Sequence, residues 1–190
     1  MNLKVMWLSM RKINEIFYSI QGEGYYAGTP SVFVRFSGCN LKCPFCDTDH
    51  SDGVMMSDDE LMAAVGRYPA RRVVLTGGEP SLWIDGALIS RLHSSGYYVA
   101  IETNGTHRLP HGIDWVTCSP KEGATVVLDH VDELKVVYTG QDVERYHCGQ
   151  AAHYFLQPCS GENISETLDY VMTHPWWRIS LQLHKLIGVR

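Results

Sequence analysis

Nowhere in its 190 residues does the chain carry a run of about 18 apolar residues, the length a membrane-spanning helix needs. Its basic runs stop at two residues, Arg11-Lys12 and Arg71-Arg72, and the formal net charge is -5, so nonspecific nucleic-acid binding is not expected. The opening residues hold one short apolar patch, Val5-Met6-Trp7-Leu8, too brief for the core of a signal peptide. Low-complexity segments, internal repeats and linkers are absent as well. The expected setting is soluble, reducing and cytoplasmic.

Cysteine is also scarce, with six residues at positions 39, 43, 46, 118, 148 and 159. A chain of this length can bury roughly 70% of the surface its unfolded form exposes, so it needs no disulfide staples. What cysteine there is concentrates in Cys39-Asn40-Leu41-Lys42-Cys43-Pro44-Phe45-Cys46. The C-x3-C-x2-C spacing puts three thiolates on one short loop, able to grip a metal centre while leaving a coordination position open. Two ordinary readings remain beside a reaction site. An even cysteine count admits disulfides, and His50 would complete a Cys3His zinc tetrahedron, although no second Cys-x-x-Cys or His pair supports it. Cys118, Cys148 and Cys159 lack such spacing and read as buried, inert thiols, and Trp7, Trp83, Trp115, Trp176 and Trp177 read mainly as packing.

Strand and helix signals alternate along the chain. Strands are expected at Val32 to Phe36, Arg72 to Leu75, Tyr97 to Ile101, Trp115 to Cys118, Leu134 to Tyr138, Tyr154 to Leu156 and Arg178 to Leu183. Ser57-Asp58-Asp59-Glu60 is a capping-box signature for a helix to about Tyr68. Further helices are expected over Ser81 to Ser95, ended by Gly96, near Gln141 to Tyr146 and over Ile164 to Thr173. Such alternation predicts an α/β fold with a mainly parallel sheet. A complete eight-unit barrel wants about 250 residues, so the prediction is an incomplete (β/α) barrel in one domain over 1–190.

Polar residues follow the ends of five of these strands. They are Thr76-Gly77-Gly78-Glu79-Pro80, Glu102-Thr103-Asn104-Gly105, Ser119-Pro120-Lys121, Gln157-Pro158 and His184-Lys185. In a parallel barrel the carboxyl ends of the strands are the face where an active site is assembled. Gly77 and Gly78 lack Cβ atoms and would let backbone approach a ligand closely. Arg35 intrudes in an apolar strand, where its guanidinium needs a partner. A bidentate substrate carboxylate and an internal Asp or Glu both qualify.

The cysteine loop with its aromatic Phe45, followed about thirty residues later by Thr76-Gly77-Gly78-Glu79-Pro80, resembles the radical S-adenosylmethionine superfamily. The resemblance implies that Cys39, Cys43 and Cys46 hold three irons of a 4Fe-4S cluster and that S-adenosylmethionine chelates the fourth. It further implies S-adenosylmethionine contacts at Gly78, Ser119, Pro120, Lys121 and Gln157. Glu102 would bind the ribose hydroxyls, with an ordinary surface carboxylate as the alternative.

The two ends of the chain narrow the family. Phe17-Tyr18-Ser19-Ile20-Gln21-Gly22-Glu23-Gly24, Ala27-Gly28-Thr29-Pro30, Phe33-Val34-Arg35-Phe36 and Gln182-Leu183-His184-Lys185-Leu186-Ile187-Gly188-Val189-Arg190 are similar to the 7-carboxy-7-deazaguanine synthase family. That resemblance runs from about Lys12 to the last residue and leaves 1–11 as an expected extension outside the core. It implies a carbon-nitrogen lyase converting 6-carboxy-5,6,7,8-tetrahydropterin to 7-carboxy-7-deazaguanine with loss of ammonia, on the route to queuosine. Substrate contacts carry over to Ile20, Gln21, Gly22, Arg35, Thr76 and Arg190, the last a departure from a family that often ends in proline. Thr48 is the matching Mg2+ ligand, and a homodimer and a flavodoxin-type reductant are implied as partners. A small glycyl-radical-enzyme activase shares the cysteine spacing and would act on a protein, while a zinc-stabilised binding module is the non-enzymatic alternative.

Overall fold

Runs of β-branched and aromatic residues set the strands of the computed structural model, which describes residues 10–147 and 150–189. Nine strands form one sheet in the order β3-β1-β2-β4-β5-β6-β7-β8-β9. They are β1 (Met10–Ile20), β2 (Pro30–Phe36), β3 (Val54–Ser57), β4 (Arg72–Gly77), β5 (Tyr98–Thr103), β6 (Trp115–Cys118), β7 (Val131–Tyr138), β8 (Ala151–Pro158) and β9 (Arg178–Ile179). β1 runs antiparallel to both β2 and β3, whereas each pairing from β2 through to β9 is parallel. The expected α/β class and mainly parallel sheet are therefore found, as an open sheet with β3 and β9 at its edges.

Among the described residues four helices accompany the sheet: α1 (Asp58–Val65), α2 (Gly86–Ser94), α3 (Ile164–Thr173) and α4 (Leu183–Ile187). The Ser57 hydroxyl accepts from the Glu60 amide while Glu60 caps the Ser57 backbone, so the capping box forms as its spacing predicts. The single helix expected from Ser81 to Ser95 is divided. A 3-10 turn at Pro80–Leu82 comes first, and Asp85 then caps α2 by accepting from the Leu88 amide at 2.9 Å. Only a 3-10 turn, Glu144–Tyr146, stands where a helix near Gln141 to Tyr146 was expected.

The chain ends differ most from expectation. Of the strand expected over Arg178 to Leu183, only Arg178 and Ile179 pair, with Phe155 and Leu156. The chain leaves the sheet at Ser180, whose hydroxyl bonds Gln157 Oε1 at 3.2 Å and accepts the Gly24 amide at 2.9 Å. Leu183 then opens α4, so His184 and Lys185 lie on a helix and do not follow a strand. At the other end, residues 1–9 of the expected extension lie outside the described residues, but Met10 and Arg11 belong to β1. Arg11 is buried and donates to Asp58 at 3.0 Å and Asp85 at 2.8 Å, which makes it part of the core.

Alternation along the strands divides the sheet into two faces. Val32, Val34, Val73, Leu75, Val99 and Ile101 pack against Leu61 and Val65 of α1 and Leu88, Ile89 and Leu92 of α2. The opposite face carries Phe17, Phe33, Val74 and Ala100, with Phe17 stacked on Phe33 at 4.9 Å. Two residues beyond that second apolar patch, toward the carboxyl ends of the parallel strands, the same face turns polar, with Arg35 after Phe33, Thr76 after Val74 and Glu102 after Ala100.

Candidate active site

Arg35 on β2 is in register with Thr76 on β4, and the Thr76 hydroxyl donates to Glu102 of β5 at 2.9 Å. The Glu102 carboxylate also accepts from Gln21 Nε2 at 2.9 Å. Together these side chains floor a cavity of about 470 Å3. Its wall contains Ile20, Gln21, Gly22, Arg35, Thr76 and Glu102, the loop residues Cys39, Cys43, Cys46 and Thr48, and Gly78, Ser119, Lys121 and Gln157 at the strand ends. Of the site residues expected from the sequence, Pro120 is buried outside this wall, and Arg190 lies outside the described residues, as does Cys148.

The cysteine loop is held by polar contacts and has no helix or strand of its own. The Gly38 amide donates to the His50 carbonyl at 2.9 Å and closes the loop at its base. Asn104 Nδ2 donates to Asn40 Oδ1 at 3.0 Å, and Asn40 Nδ2 to the Thr106 hydroxyl at 2.9 Å, tying the loop to the turn after β5. Cys39, Cys43 and Cys46 are free thiols, so the disulfide reading fails for them. Cys39 Sγ accepts the Leu41 amide at 3.4 Å. Burial pushes the Cys39 thiol up, with Glu79, Cys43 and Cys46 adding to it, so a bound cationic centre is what would hold the Cys39 sulfur as a thiolate. Among the described residues no three His, Cys, Asp or Glu side chains close on a point that one ion could fill, so the tetrahedron with His50 is not formed. Three free sulfurs spread along the wall of one cavity fit a larger inorganic group such as an iron-sulfur cluster.

The two glycines after β4 have a firmer reason than access to a ligand. A Cβ on Gly78 would lie 2.0 Å from the Gly38 carbonyl oxygen, and one on Gly77, whose φ is +116°, would lie 2.4 Å from that of Phe36. The turn must press against the end of β2, from which the cysteine loop springs. Hydrogen bonds from the Gly78 amide to Phe36 O at 3.0 Å and from the Glu79 amide to Gly38 O at 2.9 Å lock it there. Glu79 is fully buried and accepts from the Ser81 amide at 3.0 Å, the Thr103 hydroxyl at 2.7 Å and the Asn104 amide at 2.8 Å. Its residue type was plain in the motif, but its task of joining two turns was not.

Arg35 takes the internal partner that the sequence left open. Its Nε donates to Glu15 at 2.8 Å, and its Nη1 to the Thr48 hydroxyl at 3.1 Å, while the residue still lines the cavity. Lys121 Nζ bonds the Ser119 carbonyl at 2.8 Å and hydroxyl at 2.6 Å, and burial lowers its affinity for a proton. Gln157 is engaged at both ends of its amide, donating to Glu23 at 3.1 Å and accepting from Ser180 at 3.2 Å. Cys159 also lines the cavity, contrary to the buried position expected for it, whereas Cys118 is buried and its thiol is pushed up to about 12 by that burial.

Sequence reasoning missed a buried ion pair at the centre of this wall. Lys135 donates to Glu23, and although burial opposes the ammonium, Glu23, Glu102 and Glu133 outweigh it and raise its pKa. Burial likewise opposes the Glu23 carboxylate, and Lys135 and Gln182 hold it below its ordinary value. The available signal was Glu133 and Lys135 at alternate positions of a strand whose other residues, Asp132 apart, are apolar or aromatic. The last wall comes from the chain end, where His184 sits so close to Gly22 that a Cβ there would lie 1.8 Å from Nδ1.

Comparison with known proteins agrees with this geometry. Residues 33–135 match the radical SAM superfamily. The chain is 65% identical over 181 residues to a 7-carboxy-7-deazaguanine synthase of Bacteroides thetaiotaomicron, covering 95% of this chain and 100% of the relative. A Bordetella pertussis protein of the same name is 42% identical over 205 residues, with 93% and 98% covered. The crystal structure of QueE from Escherichia coli superposes with a TM-score of 0.77 at 30% identity, covering 96% of this chain and 98% of that one.

Proposed function

The chain belongs to the 7-carboxy-7-deazaguanine synthase family of the radical SAM superfamily, and from that premise we propose that its cavity converts 6-carboxy-5,6,7,8-tetrahydropterin to 7-carboxy-7-deazaguanine with loss of ammonia. The observation that carries this reading is one cavity lined both by the three free thiols and by the inward polar layer of Gln21, Arg35, Thr76 and Glu102. Cys39, Cys43 and Cys46 would hold the 4Fe-4S cluster, which supplies, when bound, the electron that breaks a carbon-sulfur bond of S-adenosylmethionine.

The chain's own residues do the rest by binding and orientation. Gly78, Ser119, Pro120, Lys121 and Gln157 are assigned to S-adenosylmethionine. Of these, Lys121 offers a cation to its carboxylate, and Pro120 acts from behind the wall by fixing the turn. Glu102 was expected at the ribose, but it shares hydrogen bonds with Gln21 and Thr76, so we place it with the substrate group. There a carboxylate and the Gln21 amide suit the N–H-rich edge of a pterin. Arg35 keeps Glu15 on Nε and Thr48 on Nη1 and presents its remaining N–H groups to the substrate carboxylate. Thr48 contributes one hydroxyl oxygen to Mg2+, a donor set that fits only an ion held mainly by substrate and water. Ile20 and Gly22 shape the pocket, and Arg190 is assigned to its C-terminal edge. A flavodoxin-type donor, a homodimer and a cytoplasmic setting complete the proposal, and no helix among the described residues is long and apolar enough to cross a membrane.

Anaerobic incubation of the reconstituted protein with the carboxylated tetrahydropterin, S-adenosylmethionine, Mg2+ and a reductant tests it. Deazaguanine product in excess over S-adenosylmethionine consumed is expected, without any protein substrate. Iron and sulfide in the protein but no product would overturn the assignment.

A further inference from the structure

Two distant parts of the cavity wall meet at Asp47. This residue directly follows Cys46, and its Oδ2 accepts Lys185 Nζ at 2.6 Å and Gln182 Nε2 at 3.3 Å. Gln182 Nε2 also donates to Glu23 at 2.9 Å, and the Leu183 amide donates to the Gly22 carbonyl at 2.8 Å. Residues 182–189 thus form a strap fastened to the N-terminal motif at Gly22 and Glu23 and to the cysteine loop at Asp47.

Little else holds that strap down. α4 has five residues, none of them buried, and Leu186 and Ile187 are 61% and 55% exposed. An isolated helix needs about 12–15 residues to be even marginal in water, so neither propensity nor apolar burial fixes it. Its polar fastenings must. Gln182, which lines the cavity, keeps Oε1 buried with no hydrogen-bond partner among the described residues. Because its Nε2 is bound by two carboxylates, the amide orientation is set and Oε1 is left as an acceptor for a ligand N–H.

We propose that Asp47 and Lys185 are positioning residues that fasten the C-terminal strap to the cysteine loop and thereby set Gln182 as an acceptor at the substrate end of the cavity. Anything that fixes Cys46 fixes Asp47, so filling the three-cysteine site steadies the strap, and a steady strap in turn favours the loop's folded position. The substrate assigned here rests on the proposed function, whereas the fastening itself does not.

Hydrogen exchange at the Leu183 amide, read by mass spectrometry on the full chain, tests the fastening without turnover. In the iron-loaded protein Lys185→Met is expected to speed that exchange by up to about fivefold, the range for a partly exposed ion pair. Lys185→Asp alone should do the same, and Asp47→Lys combined with Lys185→Asp should restore slow exchange. Iron-free wild-type protein should exchange faster than loaded protein. KM for the pterin should rise by a similar factor in Lys185→Met while kcat stays within about twofold. Equal exchange in Lys185→Met and wild type, failure of the reversed pair to slow it, or equal exchange with and without iron would overturn the proposal. If wild type forms no product, the exchange results still decide on the strap, and only the functional reading fails.

Discussion

Glu23 and Glu133 compete for one ammonium, that of Lys135, and the outcome gives them opposite roles. Glu23 wins the direct contact and is held below its ordinary value. Glu133 is buried with, among the described residues, only the Tyr25 amide donating to it, at 2.9 Å, and burial raises its pKa. An acid with a raised folded pKa destabilises the fold while ionised, and that penalty disappears as pH falls through the folded pKa. Glu133→Gln keeps an acceptor for Tyr25 and is therefore expected to raise the melting temperature at pH 8. The gain is about 2–4 °C for each ~1 kcal/mol in a chain of this size, shrinking as pH is lowered toward the ordinary carboxylate range. Glu23→Gln should do the reverse. Its charged form stabilises the fold above the unfolded pKa of about 4.3, and removing one partner of a buried pair costs about 3–5 kcal/mol at pH 8. Thermal melts of both variants at two pH values check the signs. At this scale the cysteines and Thr76 to Pro80 were legible because their spacing is local. The Glu23–Lys135 pair was not, because it spans 112 positions and depends on strand register.

Among the elements, the turns after the strands matter more than the strands. Gly78→Ala would place a methyl group 2.0 Å from the Gly38 carbonyl, which belongs to backbone and cannot rotate away. The turn and the base of the cysteine loop must then separate, so the variant is expected to bind markedly less iron on reconstitution and to melt lower. Gly86 supplies the contrast. It is the first residue of α2, with nothing within 4 Å of its would-be Cβ. Gly86→Ala should stabilise by about 0.5 kcal/mol through the unfolded chain, with iron content unchanged. Measuring iron per chain and melting temperature on both variants separates a general effect of glycine replacement from this particular close approach. Helix α1 was legible from its capping box and α3 from its apolar period. β1 was not, because a register shift between Ile13 and Glu15 breaks the period of two that marks a strand. The C-terminal strand was overextended because Ser180 and Gln182 alternate with apolar neighbours, yet their side chains turn to Gln157 and Glu23.

For the molecule as a whole, the cysteine loop and the core are separate in space and in energy. The loop adds no residue to the buried clusters, which consist of strand and helix side chains such as Val34, Leu75, Leu92 and Ile101. A bound cluster should therefore act as a reagent held by the fold and not as its staple, unlike a zinc finger, whose metal-binding energy is its folding energy. Cys43→Ala is accordingly expected to abolish the brown iron-sulfur absorbance and all turnover. Its circular dichroism should remain native and its stability should fall by no more than about 1 kcal/mol, within the range of ordinary surface and loop changes. Leu75→Ala, at a fully buried position, should instead cost about 2–5 kcal/mol while the surviving folded fraction still takes up iron. Denaturant melts paired with iron analysis distinguish the two variants. Unfolding of Cys43→Ala under conditions where wild type stays folded without iron would show that the loop supports the sheet after all.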